Sequence, residues 1–428
     1  MENTNPIQPP SSGADIVIVG GGMAGLALAA LLRDAPVSVI LVDRAAPADP
    51  ESWPAQYDPR VSALSLASEA LLRRTGAWGL MSAERLCAYR HMHVWDGEGT
   101  GTVDFDVGDL AGEAIDHLGT IAENRVTQWA LYRQVQQQQN VTFVESGLKA
   151  VSALPDGWQV SLENGDTWQP SLLVGADGGR SMVRDLAGFN VRAWPYHHSA
   201  IVTTVRTEQP HQHTAWQVFL PTGPLAFLPL SDCAAPHGGG NRHYCSIVWS
   251  ADTAKAEDIM AWDDATFMSR LGSAFEYHLG NILEADPRFS FPLVQQHATH
   301  YTRPGLALIG DAAHTIHPLA GQGINLGFLD AAVLAEEIQQ NLSRGLPAGE
   351  RSGLRRYERR RKSHNLMTMS AMEGFKRFFE PLHWLLATAR NEGMSQFNRH
   401  YLAKRQVISH AMGIAGDIPE TAKKVQEK

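Results

Sequence analysis

Cysteine is scarce. The chain of 428 residues has three, Cys87, Cys233 and Cys245, with no CxxC pair and no Cys/His spacing that suits a metal. Three thiols cannot build a disulfide framework, and such usage fits a reducing compartment, so a cytoplasmic location is expected. Positive charge is also short. Against 45 Asp and Glu stand 36 Lys and Arg, a net charge of −9, which leaves no general nucleic-acid footprint. No apolar run reaches the roughly 20 residues needed to cross a bilayer. The most apolar early stretch, 16–32, is broken by three consecutive glycines and has no Lys or Arg before it, unlike a secretory leader. Repeats and low-complexity tracts are missing too. What is present is globular: 44% hydrophobic and 19% charged residues, enough for a large core. Residues 1–13, with three prolines, read as a loose tail.

The first 45 residues read strand, glycine turn, helix, strand. "DIVIVG" is a short β-branched run, "MAGLALAALLRD" is helix-forming, Pro36 stops that helix, and "VSVILVD" is a second buried strand. This βαβ unit implies a parallel sheet. A hairpin is expected through Gly97, Gly99 and Gly101, a helix over 127–139, and a run of strands over 141–178 that returns to the sheet. From about 191 to 290 apolar alternation between Pro/Gly turns indicates an inserted antiparallel sheet, joined by the 88–120 hairpin. The fold class is therefore α/β. A Rossmann-like nucleotide domain over 12–190 and 291–345 carries that inserted sheet, followed by a C-terminal helical region over 346–428.

Three motifs carry chemistry. Gly20-Gly21-Gly22-Met23-Ala24-Gly25 is a GxGxxG between strand and helix. Gly20 permits the tight turn, Gly22 lets the backbone approach a pyrophosphate, and Gly25 permits close helix–strand packing. Asp43 ends the next strand, where a carboxylate can bind an adenosine ribose. "GADGGRSMVR", 175–184, places Asp177 at another strand end; on its own, Asp-Gly is a turn. "GLALIGDAAHTIHPLAGQGINLGFLDAAVLAEEI", 305–338, ends a strand at Asp311 and feeds a helix through a loop with Pro318, Gly321 and Gly323. Backbone N–H groups there can face an electron-rich ring.

These motifs, in this order, resemble the flavoprotein aromatic hydroxylases of the p-hydroxybenzoate hydroxylase type, whose nucleotide domain is of the GR2 type, and the resemblance covers nearly the whole chain. "DPRVSALSLASEALLRRTGAW", "ENRVTQWALYRQV" and "HTIHPLAGQGINLGFLDAA" are similar to the ubiquinone-biosynthesis hydroxylases. "YHHSAIVTTVRTEQPH", "LAFLPLSD", "CSIVWS" and "YERRRKSHNLMTMSAMEGFKRFF" look most like the branch acting at ring carbon 5 of a 2-polyprenylphenol. The resemblance implies FAD, with NAD(P)H or another electron donor as reductant, and O2. It implies that Gly20, Gly22, Gly25 and Asp43 hold the ADP half, that Arg60 lies along the flavin or its phosphates with Ser62 nearby, and that Gln128 reaches the cofactor. Asp177 would line the cleft and Asp311 bind the ribityl chain. Pro318 to Asn325, including Gly321, Gly323 and Asn325, would lie beside the ring.

The chemistry so implied is monooxygenation of a polyprenylphenol by way of a flavin C4a-hydroperoxide, with His314, Pro318 and Gly321 at the reacting face. His91, His197 and His198 are further candidates for a base, each also readable as an ordinary surface or hydrogen-bonded histidine; His314 and His317 read as supports of the loop or helix-entry residues rather than as acid or base. Hydroxylation at another ring carbon, an isoprenoid reductase and a flavin-binding scaffold of the biosynthetic complex stand as alternatives. Contact with other enzymes of the pathway, with a membrane surface or with a second copy of the chain goes with the same class. The basic run "RRYERRRK", 355–362, reads as a solvated helix face.

Overall fold

A computed structural model describes residues 13–54, 56–110, 115–231, 243–315, 323–379 and 384–423. The candidates Pro318 and Gly321, together with His317 and the tail before residue 13, lie outside these residues.

The first sheet has six strands, in the order Thr302–Arg303, Leu306–Leu308, Leu172–Gly175, Ile16–Val19, Val39–Asp43 and Val141–Glu145. All neighbours are parallel except the first pair. Ile16, Val17, Ile18 and Val19 are all buried, because layers cover both faces of a parallel sheet and leave no polar side to alternate with. The helix Met23–Leu31 packs against the helices Asn124–Gln136 and Gly323–Ser343. Strands Leu148–Leu154, Gly157–Leu162 and Thr167–Trp168 do not return to this sheet. They form a separate antiparallel meander. Gly157–Leu162 alternates half-buried and buried residues, the mark of a strand with one wet face. That meander closes onto the same core through Trp158, Val160 and Trp168.

The second large sheet has nine strands. Along its main path run His314–Thr315, Phe289–Ala298, Val191–Thr207, Tyr244–Asp252, Gly223–Pro229, Thr214–Leu220, His91–Asp96 and Thr102–Asp106; Ile282–Ala285 pairs with Val191–Thr207. The 91–106 hairpin joins it by a parallel pairing of His91–Asp96 with Thr214–Leu220. Phe289–Ala298 belongs to it throughout, across the boundary read at 290, because the 17-residue strand Val191–Thr207 offers a partner along its whole length. Helices Thr253–Ala261 and Asp264–Ala274 cover one face, with Phe267 and Phe275 buried against Phe227, Ile247 and Trp249. A small sheet, Val61–Leu64, Gly119–Glu123 and Leu86–Tyr89, lies against the opposite face through Ala63, Ile121 and Tyr89.

The C-terminal helices are Arg351–Phe378, Trp384–Arg399 and Tyr401–Ala411. The basic run on the first of them is solvated only in part: Arg355 and Arg359 are exposed, while other members turn to acidic partners. Arg361 is 1% exposed and binds Asp330, Arg356 binds Glu337, and Arg360 binds Glu336 and Asp417. The run reads as solvent-facing because its acidic partners come from elsewhere in the chain.

Candidate active site

The parallel strands all end at one edge. Gly20 leaves the first strand with φ +116°, and a Cβ there would lie 2.3 Å from the Ala176 carbonyl oxygen. A Cβ on Gly25 would lie 2.0 Å from the Gly20 oxygen. Real atoms do not approach so closely, so both positions require glycine for the fold itself. Gly22 is different: its Cβ would meet nothing within 4 Å. It faces a cavity of about 430 Å³ lined by Gly20, Asp43, Arg44, Asp177 and Arg180 among others. Gly22 caps the helix Met23–Leu31 without a side-chain hydrogen bond, and the first turn holds no acid. The first-turn N–H groups and the positive end of the helix dipole therefore remain for an anion.

Asp43 closes this cradle. Its Oδ2 accepts from the Gly21 N–H at 2.5 Å, and its Oδ1 from the Arg44 N–H at 2.6 Å. Gln128 Nε2 donates to the Gly21 carbonyl at 2.8 Å, so it reaches the glycine turn from the neighbouring helix. Asp177 lines the same cavity, but its carboxylate accepts from Ser181 Oγ at 2.5 Å and the Val183 N–H at 3.1 Å. It thereby fixes the turn that begins the helix Met182–Leu186. Burial pushes this carboxyl up, and those hydrogen bonds only partly offset it.

Asp311 follows the strand Leu306–Leu308 on the same edge. Its side chain is exposed, yet desolvation by surrounding protein pushes its carboxyl up, with His314 and Arg60 pulling it back. The two observations agree for a group on the floor of a crevice open on one side. Arg60 is exposed nearby, its backbone fixed by Asp58 and Asn124, and Ser62 Oγ donates to Asn124 Oδ1 at 2.6 Å.

Two residues expected beside the ring have their side chains committed to other protein groups. Asn325, in the first turn of Gly323–Ser343, accepts from the Ser65 N–H at 3.0 Å and Ser68 Oγ at 2.7 Å, and donates to the Ala63 oxygen at 2.8 Å. His314 is buried, with Nε2 2.5 Å from Asp330 Oδ2. Asp330 also accepts from the Gly310 N–H at 3.0 Å, Arg361 Nε at 2.7 Å and Asn365 Nδ2 at 3.2 Å. Burial alone would raise the Asp330 carboxyl. The charges of His314 and Arg361 and the hydrogen bonds from both outweigh it, and hold the group well below the usual carboxylate range. Asp330 and Arg361 were not foreseen as site residues. The signal was an acid inside the apolar helix "LGFLDAAVLA", which no amphipathic pattern explains. Of the other histidines, His91 pairs with Asp106 at 2.5 Å on the outer hairpin, and His197 is exposed at φ +51° beside a register shift.

Next to this network, His297 is 4% exposed, and its Nε2 has no partner among the described residues. Burial, then the charges of His314, Lys362 and Arg192, push its imidazole down to about 4. Unfolded histidine titrates near 6.5, so between these values the unfolded chain takes up a proton that the folded chain refuses. Stability should fall as pH drops through that window, by up to roughly 3 kcal/mol from this group. Urea midpoints at pH 7 and pH 5 check this: His297→Asn should flatten the difference, and an unchanged slope would contradict it.

Solved structures share this architecture. Among them, p-nitrophenol 4-monooxygenase PnpA from Pseudomonas putida matches with a TM-score of 0.74 at 20% identity, over 94% of this chain and 98% of its own. PqsL from Pseudomonas aeruginosa matches with a TM-score of 0.72 at 20% identity, over 90% and 100%. At such identity they speak for the fold alone. The family is fixed by sequence: the chain belongs to the FAD binding domain family, whose model matches residues 13–370, and is an FAD-dependent monooxygenase related to the hydroxylases of ubiquinone biosynthesis. The 3-demethoxyubiquinol 3-hydroxylase of Escherichia coli is 36% identical over 94% of this chain and 98% of its own. The mitochondrial ubiquinone biosynthesis monooxygenase COQ6 of Xenopus tropicalis is 34% identical, with 93% of each chain covered. The ubiquinone hydroxylase UbiL of Rhodospirillum rubrum is 36% identical, over 94% and 90%.

Proposed function

We propose that this enzyme hydroxylates the ring of a polyprenylphenol on the route to ubiquinone, and that ring carbon 5 receives the oxygen. The observation that carries the reading is the nucleotide cradle at the carboxyl edge of the parallel sheet, in a chain whose second large sheet carries an apolar cavity of its own. The relatives named for ubiquinone hydroxylation support the pathway. The four segments quoted for the carbon-5 branch support the position, with hydroxylation at another carbon of the same ring as the competing reading.

The residues suit FAD. The uncapped start of Met23–Leu31 and the open space at Gly22 would take the pyrophosphate, Asp43 the adenosine ribose, and Asp311 the ribityl hydroxyls. Bound there, FAD supplies two-electron chemistry and activation of O2, with NAD(P)H or another donor as reductant. The chain's own part is to orient and to keep water out. The large sheet forms the substrate wall; the histidine–aspartate–arginine network holds the turn that presents Asp311. A bilayer-borne substrate places the enzyme against a membrane surface, and no helix among the described residues is long and apolar enough to cross one.

Mass analysis of quinone intermediates in cells lacking the protein tests the position. A compound unsubstituted at carbon 5 should accumulate; one unsubstituted at another carbon would overturn that assignment. Asp311→Ala should lower retained FAD by tenfold or more, because one open-faced acceptor is lost from the crevice (roughly 1.5–3 kcal/mol for a bond to a charged group). Normal flavin content in that variant would remove Asp311 from the site.

A further inference from the structure

A second cavity, of about 410 Å³, lies between the large sheet and the C-terminal helices. Its sheet wall includes Val94, Val103, Gln217 and Phe219; its helix wall includes Phe378, Phe379, Met394 and Phe397. Phe379 stacks on Phe219 with ring centres 3.7 Å apart. The sheet wall continues beyond the cavity. Val103, Val94, Gln217, Ala226, Val248 and Val202 stand opposite one another on six successive strands, and paired residues share a face. With strands about 4.8 Å apart, this lane runs roughly 24 Å. The opposite face is already filled by Phe267 and Phe275. The small sheet that meets this face contains Ala63, whose carbonyl is held by Asn325 at the start of the helix after the flavin loop.

One residue breaks the apolar lane. Gln217 is 5% exposed, and its Oε1 has no hydrogen-bond partner among the described residues. A buried amide oxygen left so is costly, and a ligand hydroxyl would relieve it. The lining thus asks for an apolar chain with a single donor at its head. We infer that this cavity takes the isoprenoid tail of the substrate, with Gln217 accepting a hydrogen bond from the phenolic hydroxyl. The inference rests on the prenylated-phenol reading above and adds where such a molecule is held. Methionines on the helix wall suit a chain of variable shape.

Gly393 gives the test. It lines the cavity, and a Cβ there would meet nothing within 4 Å, so the backbone has room for a side chain at the cavity's rim. The FAD-loaded enzyme is titrated calorimetrically with a phenol bearing a long isoprenoid tail and with one bearing a single isoprene unit, and turnover of both is followed in parallel. The parent chain should bind the long-tailed phenol more tightly. Gly393→Phe should weaken that phenol at least about tenfold, because excluded methylenes return to water, and change the short one less than about twofold. Gly393→Leu serves if the phenylalanine variant does not fold. Equal affinity of the two phenols, or equal loss for both in the variant, overturns the tail site. Tail-dependent binding without hydroxylation sustains the site and sinks the activity reading instead. Gln217→Leu should erase the difference in affinity between the long-tailed phenol and its methyl ether; a retained difference removes Gln217 from the proposal.

Discussion

Arg361→Met is expected to destabilise the fold by about 3–5 kcal/mol, the usual result of removing one partner of a buried pair. Asp330 is fully buried and Arg361 1% exposed, so no water replaces the lost guanidinium. Arg361 also donates to Asn365 Oδ1 at 2.8 Å, and Asn365 in turn holds Asp330. The damage should extend to the site, since Asp330 fixes the Gly310 N–H directly before Asp311. Lower flavin retention should therefore accompany the loss of stability. The carboxyl of Asp330 is depressed in the folded state, so its contribution is present above the unfolded aspartate value near 3.9 and is lost as pH falls further toward the folded one. Guanidinium unfolding at neutral pH measures the main effect. A change below about 1 kcal/mol, the level of an exposed ion pair, would show that the network does not hold this part of the molecule.

Gly22→Val should separate folding from cofactor binding. The site of its Cβ is empty, so the valine chain should fold, with a stability change of about 1 kcal/mol or less. The same side chain occupies the space above the uncapped helix start where the pyrophosphate would lie, so FAD affinity should fall by about a hundredfold, roughly 2.7 kcal/mol. Gly25→Ala makes the contrasting control. Its methyl would press on the Gly20 oxygen, so stability itself should fall, as for other overpacked sites. Flavin absorbance after purification and thermal midpoints distinguish the two. A yellow, fully loaded Gly22→Val chain would contradict the placement of the cofactor.

Much of the nucleotide half was legible because local chemistry dictates it. Gly20 and Gly25 are forced by close backbone approaches, Asp43 ends one buried strand and Asp311 follows another, and the β-branched runs bury on both faces. What the sequence hid depends on distant partners. Nothing local tells that Arg361 turns inward, since its acid lies 31 positions earlier on another helix. The ring of His314 is committed to that same acid, whereas its motif suggested only nearness to the flavin. Asp177 sits where the strand-end rule puts a ligand-binding acid, yet its carboxylate serves the next helix. The meander of 148–168 looks like more of the parallel sheet until its alternation is set against the all-buried strands.

The most direct test of the central claim uses isotopically heavy dioxygen. The FAD-loaded enzyme, a reductant and a prenylated phenol are incubated under that gas, and the product is weighed by mass spectrometry. The account predicts one heavy oxygen atom in the new ring hydroxyl. A hydroxyl drawn from water, or turnover that continues without dioxygen, would contradict it.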